Sequence, residues 1–372
     1  MPQFAKLLAR GSCACCPTKL AGHFCFPFFR GNGFRLLSGS RCIVKTRAQN
    51  GWLRRTLAAL LFGTLASCAV ATAGQVSSNS TSALSFRIVT DETGRTVRIP
   101  VPVRRVVSLS PNMTESLFAL GMDDLLVGDT DYCDYPEAAT GKHRVGGIVN
   151  PSLEEIASLK PDLVLVTKLN RLETVQALER LGIASYSGDP RSLDEIRSSV
   201  HRLAEVLGNP AAGQALDDEL RKKEVDLQRR LQNVPAKRVL FVVWTDPLIS
   251  TGKGTFIADA LKHAGAISVV ESSQDWPQIS LEEMVRLQPE FLVFASGHSE
   301  AVNRDVDALA KRPGWDALEA VKHKKIAVIS DAVNRPAPRL FSAVDDLARQ
   351  LHPEAFPEKS AISNTLHPAE KN

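Results

Sequence analysis

The chain repeats itself. Ser152-Leu153-Glu154-Glu155-Ile156 runs through Leu159-Lys160-Pro161-Asp162 into Leu163-Val164-Leu165-Val166. Later, at an offset of 128 residues, Ser280-Leu281-Glu282-Glu283-Met284 runs through Leu287-Gln288-Pro289-Glu290 into Phe291-Leu292-Val293-Phe294. Each copy reads as a serine-capped helix, a proline-marked turn and a buried apolar strand. The flanking pieces repeat in the same order. Arg105–Leu109 and Arg238–Val242 read as first strands, and the helical stretches that follow end at Leu120-Gly121 and Ala264-Gly265, where glycine is the expected stop. Gly182–Tyr186 and Lys325–Ile329 supply a further strand in each half.

Apolar strands alternating with helices specify parallel sheets covered on both faces. The expected fold class is therefore α/β, with two Rossmann-like lobes over residues 84–190 and 237–352. Between them Leu193, Ile196, Val200, Leu203 and Leu207 recur at helical spacing, Gly208-Asn209-Pro210 ends that helix, and a second, charged helix runs to about Leu231. Residues 191–236 thus form a connecting helical segment, stiffer than a loop hinge, and 353–372 a flexible tail.

The N-terminal segment has a different character. No Asp or Glu occurs before Asp91, whereas residues 1–73 hold ten Lys and Arg; setting those ten bases aside turns the net charge of +4 into −6. The basic balance belongs to this segment, which removes the case for a nucleic-acid partner. Trp52-Leu53-Arg54-Arg55 precedes the uncharged run Thr56 to Ala73, the layout of a secretory signal, and the run is too short for a permanent membrane span. Ala71-Thr72-Ala73 fits ordinary signal cleavage, while Leu65-Ala66-Ser67-Cys68 is similar to a lipobox that would leave Cys68 acylated. No Met occurs between Met1 and Met113, so Val44 is the candidate start and 1–43 stand outside the translated chain on that reading. The polar stretch 74–83 reads as a tether. Either processing site exports the body, to the periplasm or to the outer face of the membrane.

Several enzyme readings fail on the residues. Thr251-Gly252-Lys253-Gly254-Thr255 imitates a phosphate loop, but Pro247 stands where the first Gly belongs and Gly254, not Ser or Thr, follows Lys253. The histidines of the body are scattered without metal-ligand spacing, so no bound metal is expected. Cys133 is the sole cysteine after Cys68 and has no His near it in sequence. A non-enzyme is the leading expectation, with a chelatase-like enzyme and a surface adhesion module as minor alternatives.

At this point the residues resemble a known family. Val106-Val107-Ser108-Leu109-Ser110-Pro111, Tyr132-Cys133-Asp134-Tyr135-Pro136, the two Ser-Leu-Glu-Glu elements, Trp276-Pro277-Gln278 and Arg335-Pro336-Ala337-Pro338-Arg339-Leu340 are jointly similar to the substrate-binding proteins of ABC importers for cobalamin and iron–siderophore complexes. The resemblance covers about residues 86–352. It implies a monomeric receptor that takes a metal chelate into an interlobe cleft and delivers it to a permease dimer with cytoplasmic ATPase subunits, with cobalamin or a related corrinoid as cargo and no resident cofactor. A ferric siderophore or haem is the alternative cargo.

By the same resemblance, Tyr132, Trp276 and the Asp331/Arg335 pair match ligand-facing positions, with Trp244 following the first strand of the second lobe. Ile148 and Thr167 stand where cobalamin-binding relatives can carry further Trp. Aromatic faces suit a large planar ligand because they offer area at little entropy cost; Trp244 and Trp276 can equally be packing residues. Arg171, Arg191 and Arg335 are candidates to hold an anionic siderophore. Each Ser-Leu-Glu-Glu also reads as a capping box, with Glu155 and Glu283 at N3. Glu154 and Glu282, left free at N2, match the acids by which this family docks onto arginine pockets of the permease.

Overall fold

A computed structural model describes residues 85–296 and 309–357. The signal segment, the tether, Cys68 and the tail beyond Pro357 lie outside the described residues. The described chain opens with an antiparallel hairpin, β1 (Ser85–Thr90) and β2 (Thr96–Val101). The first lobe then runs β3 (Val106–Ser108), α1 (Pro111–Ala119), β4 (Leu126–Asp129), β5 (His143–Arg144), α2 (Leu153–Ser158), β6 (Leu163–Val166), α3 (Leu172–Arg180) and β7 (Ser185–Ser187). Two helices follow, α4 (Leu193–Leu207) and α5 (Pro210–Leu231). The second lobe runs β8 (Lys237–Val242), a short hairpin of β9 (Trp244–Thr245) and β10 (Leu248–Ile249), α6 (Phe256–His263), β11 (Ala266–Ser268), α7 (Leu281–Leu287), β12 (Phe291–Ala295), α8 (Glu319–Lys322), β13 (Ile326–Ile329) and α9 (Leu340–Leu351).

The sequence repeat is a repeat of topology. The sheets are ordered β5-β4-β3-β6-β7 and β11-β8-β12-β13, with every neighbour parallel. Setting aside the edge strand β5, each lobe places its second strand beside its first, then its third and fourth. The protein is thus α/β with two parallel-sheet lobes, as the alternation of apolar strands and helices requires.

The repeated segment also repeats its backbone. Ser152 Oγ accepts from the Glu155 N–H at 3.2 Å and Ser280 Oγ from the Glu283 N–H at 3.1 Å, fixing the starts of α2 and α7. Past the helix ends, Lys160 and Gln288 both take positive φ, 46° and 40°. Each directly precedes a proline, whose ring disfavours a right-handed helical residue before it, so the chain leaves by a left-handed step and drops into the strand. The capping box closes on one side only: the Glu155 carboxylate lies 2.7 Å from His143 Nε2 on β5 instead of reaching back to Ser152.

Strands β3 and β6 are buried along their whole length, which explains their unbroken apolar runs. One apolar cluster passes from Val106 and Leu163 in the first lobe through Ile196, Leu203 and Leu220 of α4 and α5 to Val239, Phe241 and Leu347 in the second. Leu193, Ile196, Val200, Leu203 and Leu207 are all buried. The connection is therefore a helical pair embedded in the shared core, further pinned where Arg197 of α4 meets Asp217 at 3.1 Å and Glu224 at 3.4 Å on α5.

Candidate functional site

A cleft of about 240 Å³ opens at the carboxyl ends of the strands of both lobes. Ser110 to Asn112 follow β3, Thr167 to Leu169 follow β6, Val243 follows β8, and Arg335 and Pro336 come after β13. In each lobe the first strand has its second and third on opposite sides, so the connections diverge there and leave a crevice, the place where open α/β sheets take ligands. Ile148 and Leu169 from the first lobe and Val243, Phe256, Ile257 and Trp276 from the second give the cleft apolar faces. Lys168, Asp189, Arg191, Asp275 and Arg335 supply its charges.

The loop that imitates a phosphate loop is a splint for Trp276. The Ser250 N–H donates to the Pro277 carbonyl, the Gly252 N–H to the Asp275 carbonyl and the Lys253 N–H to the Ser272 carbonyl, each at 3.0 Å. A Cβ on Gly252 would lie 1.8 Å from the Gln274 carbonyl oxygen, so the two strands of this loop can approach only with glycine there. Thr255 then caps α6, its Oγ1 accepting from the Ala258 N–H at 3.2 Å, and lines the cleft.

Arg335 reaches back across the lobes. Its Nη1 donates to Glu115 Oε1 on α1 at 2.8 Å, and its Nη2 pairs with Asp134 at 2.7 Å and lies 3.4 Å from the Tyr132 carbonyl. Burial works against the Arg335 charge, yet Glu115 and Asp134 outweigh it and hold the guanidinium above its ordinary range. Arg339 donates to the same Glu115 carboxylate at 2.9 and 3.0 Å, to Asp331 at 2.9 Å, and stacks 4.0 Å over the Tyr135 ring. Also on the cleft wall, Arg191 donates to Asp275 at 2.6 Å and to the Gly254 carbonyl at 2.8 Å.

Of the residues singled out from the sequence, Ile148, Thr167, Arg191, Trp276 and Arg335 come together on the cleft wall. Tyr132, Trp244 and Asp331 are not among its lining residues. The Tyr132 ring lies beside Gly147, next in the chain to Ile148. Trp244 turns within its own hairpin, where its indole N–H donates to the Asp246 carbonyl at 2.7 Å. Asp331 and Arg335 do not pair with each other: the first serves Arg339 and the second Glu115. Arg171 is exposed at the start of α3, away from the cleft wall. Glu154 and Glu282 are exposed in the first turns of α2 and α7.

Sequence reasoning missed Glu115, Arg339, Lys168 and Phe256. Only Glu115 left a signal, as the one charged residue in α1, a helix with seven buried positions. Cys133 is buried between the hydroxyls of Thr114 and Thr130 at 3.2 and 3.3 Å, and burial pushes its thiol up, which makes it an inert core group. Among the described residues no group of three or more His, Cys, Asp or Glu could hold a metal ion.

The model of the periplasmic binding protein family matches residues 106–333, from the first strand of one lobe to the last strand of the other. The chain belongs to the periplasmic binding protein family. Among its relatives is an uncharacterized ABC transporter substrate-binding lipoprotein, YvrC, of Bacillus subtilis, 30% identical over 279 residues that span 73% of this chain and 87% of that one. The crystal structure of the vitamin B12 binding protein BtuF of Vibrio cholerae superposes with a TM-score of 0.61 at 27% identity, covering 68% of this chain and 98% of that one. The apo haem-binding protein RhuT of Roseiflexus sp. RS-1 superposes with a TM-score of 0.62 at 27% identity, covering 68% and 99%. This periplasmic binding protein is thus of the ABC-transporter substrate-binding type, and its homologues are binding proteins, not enzymes. Among the described residues no helix is long and apolar enough to cross a membrane.

Proposed function

We propose that this periplasmic binding protein captures cobalamin or a related corrinoid in the interlobe cleft and delivers it, chemically unchanged, to an ABC permease with cytoplasmic ATPase subunits. The observation that carries this reading is the pair of apolar faces, Ile148 and Leu169 from one lobe and Phe256 and Trp276 from the other. A flat macrocycle buries both of its faces against such walls, and rigid aromatics offer that area at little entropy cost. The embedded helical connection favours a cleft formed before the ligand arrives, which lowers the ordering cost of binding. The likeness to the Vibrio cholerae protein supports the same cargo. Haem or a ferric siderophore is the competing cargo, favoured by the likeness to the Roseiflexus protein.

Docking on this reading uses Glu154 and Glu282, one exposed acid per lobe at matching helix starts. The protein works as an exported monomer, anchored to the membrane if Cys68 is acylated. The test of cargo is calorimetric titration of the purified protein with cobalamin, a ferric siderophore panel and haem. The expected result is saturable one-to-one binding of cobalamin, weakened roughly tenfold or more in Trp276→Ala. Saturation by a ferric chelate or haem alone moves the cargo to iron, and no saturation by any of them overturns the metal-chelate reading.

A further inference from the structure

The charges of the cleft are already spent on one another. Of the three cations on its wall among the described residues, Lys168 pairs with Asp189, Arg191 with Asp275 at 2.6 Å, and Arg335 with Glu115 and Asp134 at 2.8 and 2.7 Å. The fourth nearby cation, Arg339, shares Glu115 and takes Asp331. Four cations thus face five carboxylates. The Arg335 side chain is only 5% exposed, so its charge serves the tie between the lobes and is not presented to a ligand. Arg191 and Lys168 are more accessible, but their partners Asp275 and Asp189 stand on the same wall.

An anionic group entering here would reach Arg191 only beside Asp275 and Lys168 only beside Asp189. Each time a carboxylate stands next to the incoming charge, and juxtaposed like charges select against a partner. Resting on the receptor reading above, we infer that the cleft selects a planar chelate with an uncharged, amide-type periphery and discriminates against the same chelate carrying free carboxylates, with Asp275 and Asp189 as the discriminating residues. Apolar faces bind the macrocycle; Lys168 and Arg191, each held beside a carboxylate, offer hydrogen bonds to neutral groups without standing as free cations among the described residues.

The test is titration of the purified protein, at low ionic strength, with three probes: cyanocobalamin, a corrinoid monocarboxylate made by hydrolysing one peripheral amide, and ferric haem with its two propionates. The monocarboxylate is expected to bind about tenfold more weakly than cyanocobalamin, with haem weaker still. Asp275→Asn, which releases Arg191, narrows the gap between the two corrinoids. Equal or tighter binding of the carboxylated corrinoid or of haem by the native protein overturns the inference while leaving the receptor reading intact. A gap that Asp275→Asn and Asp189→Asn both leave unchanged overturns it as well. Absence of saturable binding by all three probes overturns the corrinoid reading, and the charge selection with it.

Discussion

Glu115 and Arg335, 220 residues apart in the chain, meet at 2.8 Å, with side chains only 2% and 5% exposed. Glu115 belongs to the first helix of one lobe and Arg335 to the segment after the last strand of the other. Each of the two carboxylate oxygens also accepts from Arg339. One buried acid therefore holds two arginines of the opposite lobe, and through Arg335 it helps to build the cleft wall.

Removing that acid is expected to be costly. Glu115→Ala leaves two guanidinium groups facing an uncharged hole, and breaking a buried ion pair from one side typically costs about 3–5 kcal/mol. Glu115→Gln keeps an acceptor and most of the shape, so its loss should be roughly half as large. Urea unfolding of both variants beside the native protein measures this. A Glu115→Ala protein within about 0.5 kcal/mol of native would mean that the Glu115 pairs contribute nothing measurable to holding the lobes together.

The architecture was legible because it is written locally and twice. A serine cap, a proline and a run such as Leu163–Val166 each act within a few residues, and the second copy confirms the first. The lobe order followed from those signals, as did the apolar stripe of α4. The charged part of the cleft wall was not legible for the converse reason. Glu115 finds Arg335 only because β3 and β13 bring their carboxyl ends to the same crevice, and no local pattern records a pairing across 220 residues. Trp244 and Trp276 look alike in sequence, both aromatic and both in loops or short strands. What separates them is a hairpin carbonyl that takes the indole N–H of Trp244, and a glycine, Gly252, that lets residues 250–253 pack against the 272–277 segment carrying Trp276.

Asp129 should make stability depend on pH in an unusual direction. At the end of β4, its side chain fully buried, it pairs with Arg144 at 2.5 Å, and its Oδ2 has no hydrogen-bond partner among the described residues. Burial pushes its carboxyl up to about 7 against the opposing pull of Arg144. In the unfolded chain the group titrates near 3.8. Between those values the folded protein keeps a proton that the unfolded chain has released. The contribution is thus fully present below about pH 4, falls as pH rises, and is gone above about pH 7. Asp129→Asn removes this titration. The difference in unfolding free energy should move in the variant's favour by about 2 kcal/mol or more between about pH 4.5 and 7.5. A difference that stays constant over that range excludes the raised carboxyl.

The proposed docking acids can be separated from their helix caps. Ser152 and Ser280 bond the N–H groups of Glu155 and Glu283, so replacing Glu154 and Glu282 leaves both caps in place. The Glu282 carboxylate is held below its ordinary range by its own N–H and by Ser280 and is fully exposed, which keeps it charged at neutral pH. With one such acid on each lobe, a two-fold permease can engage both at once, and the two contacts reinforce each other. Glu154→Ala plus Glu282→Ala is therefore expected to lower uptake by roughly tenfold or more, each single variant less, with ligand affinity and unfolding free energy near native. Uptake by cells that express the double variant, set beside its ligand titration, decides the matter. Native uptake with native affinity removes these two glutamates from the docking surface, whereas a fall in uptake with intact affinity places the defect at the permease.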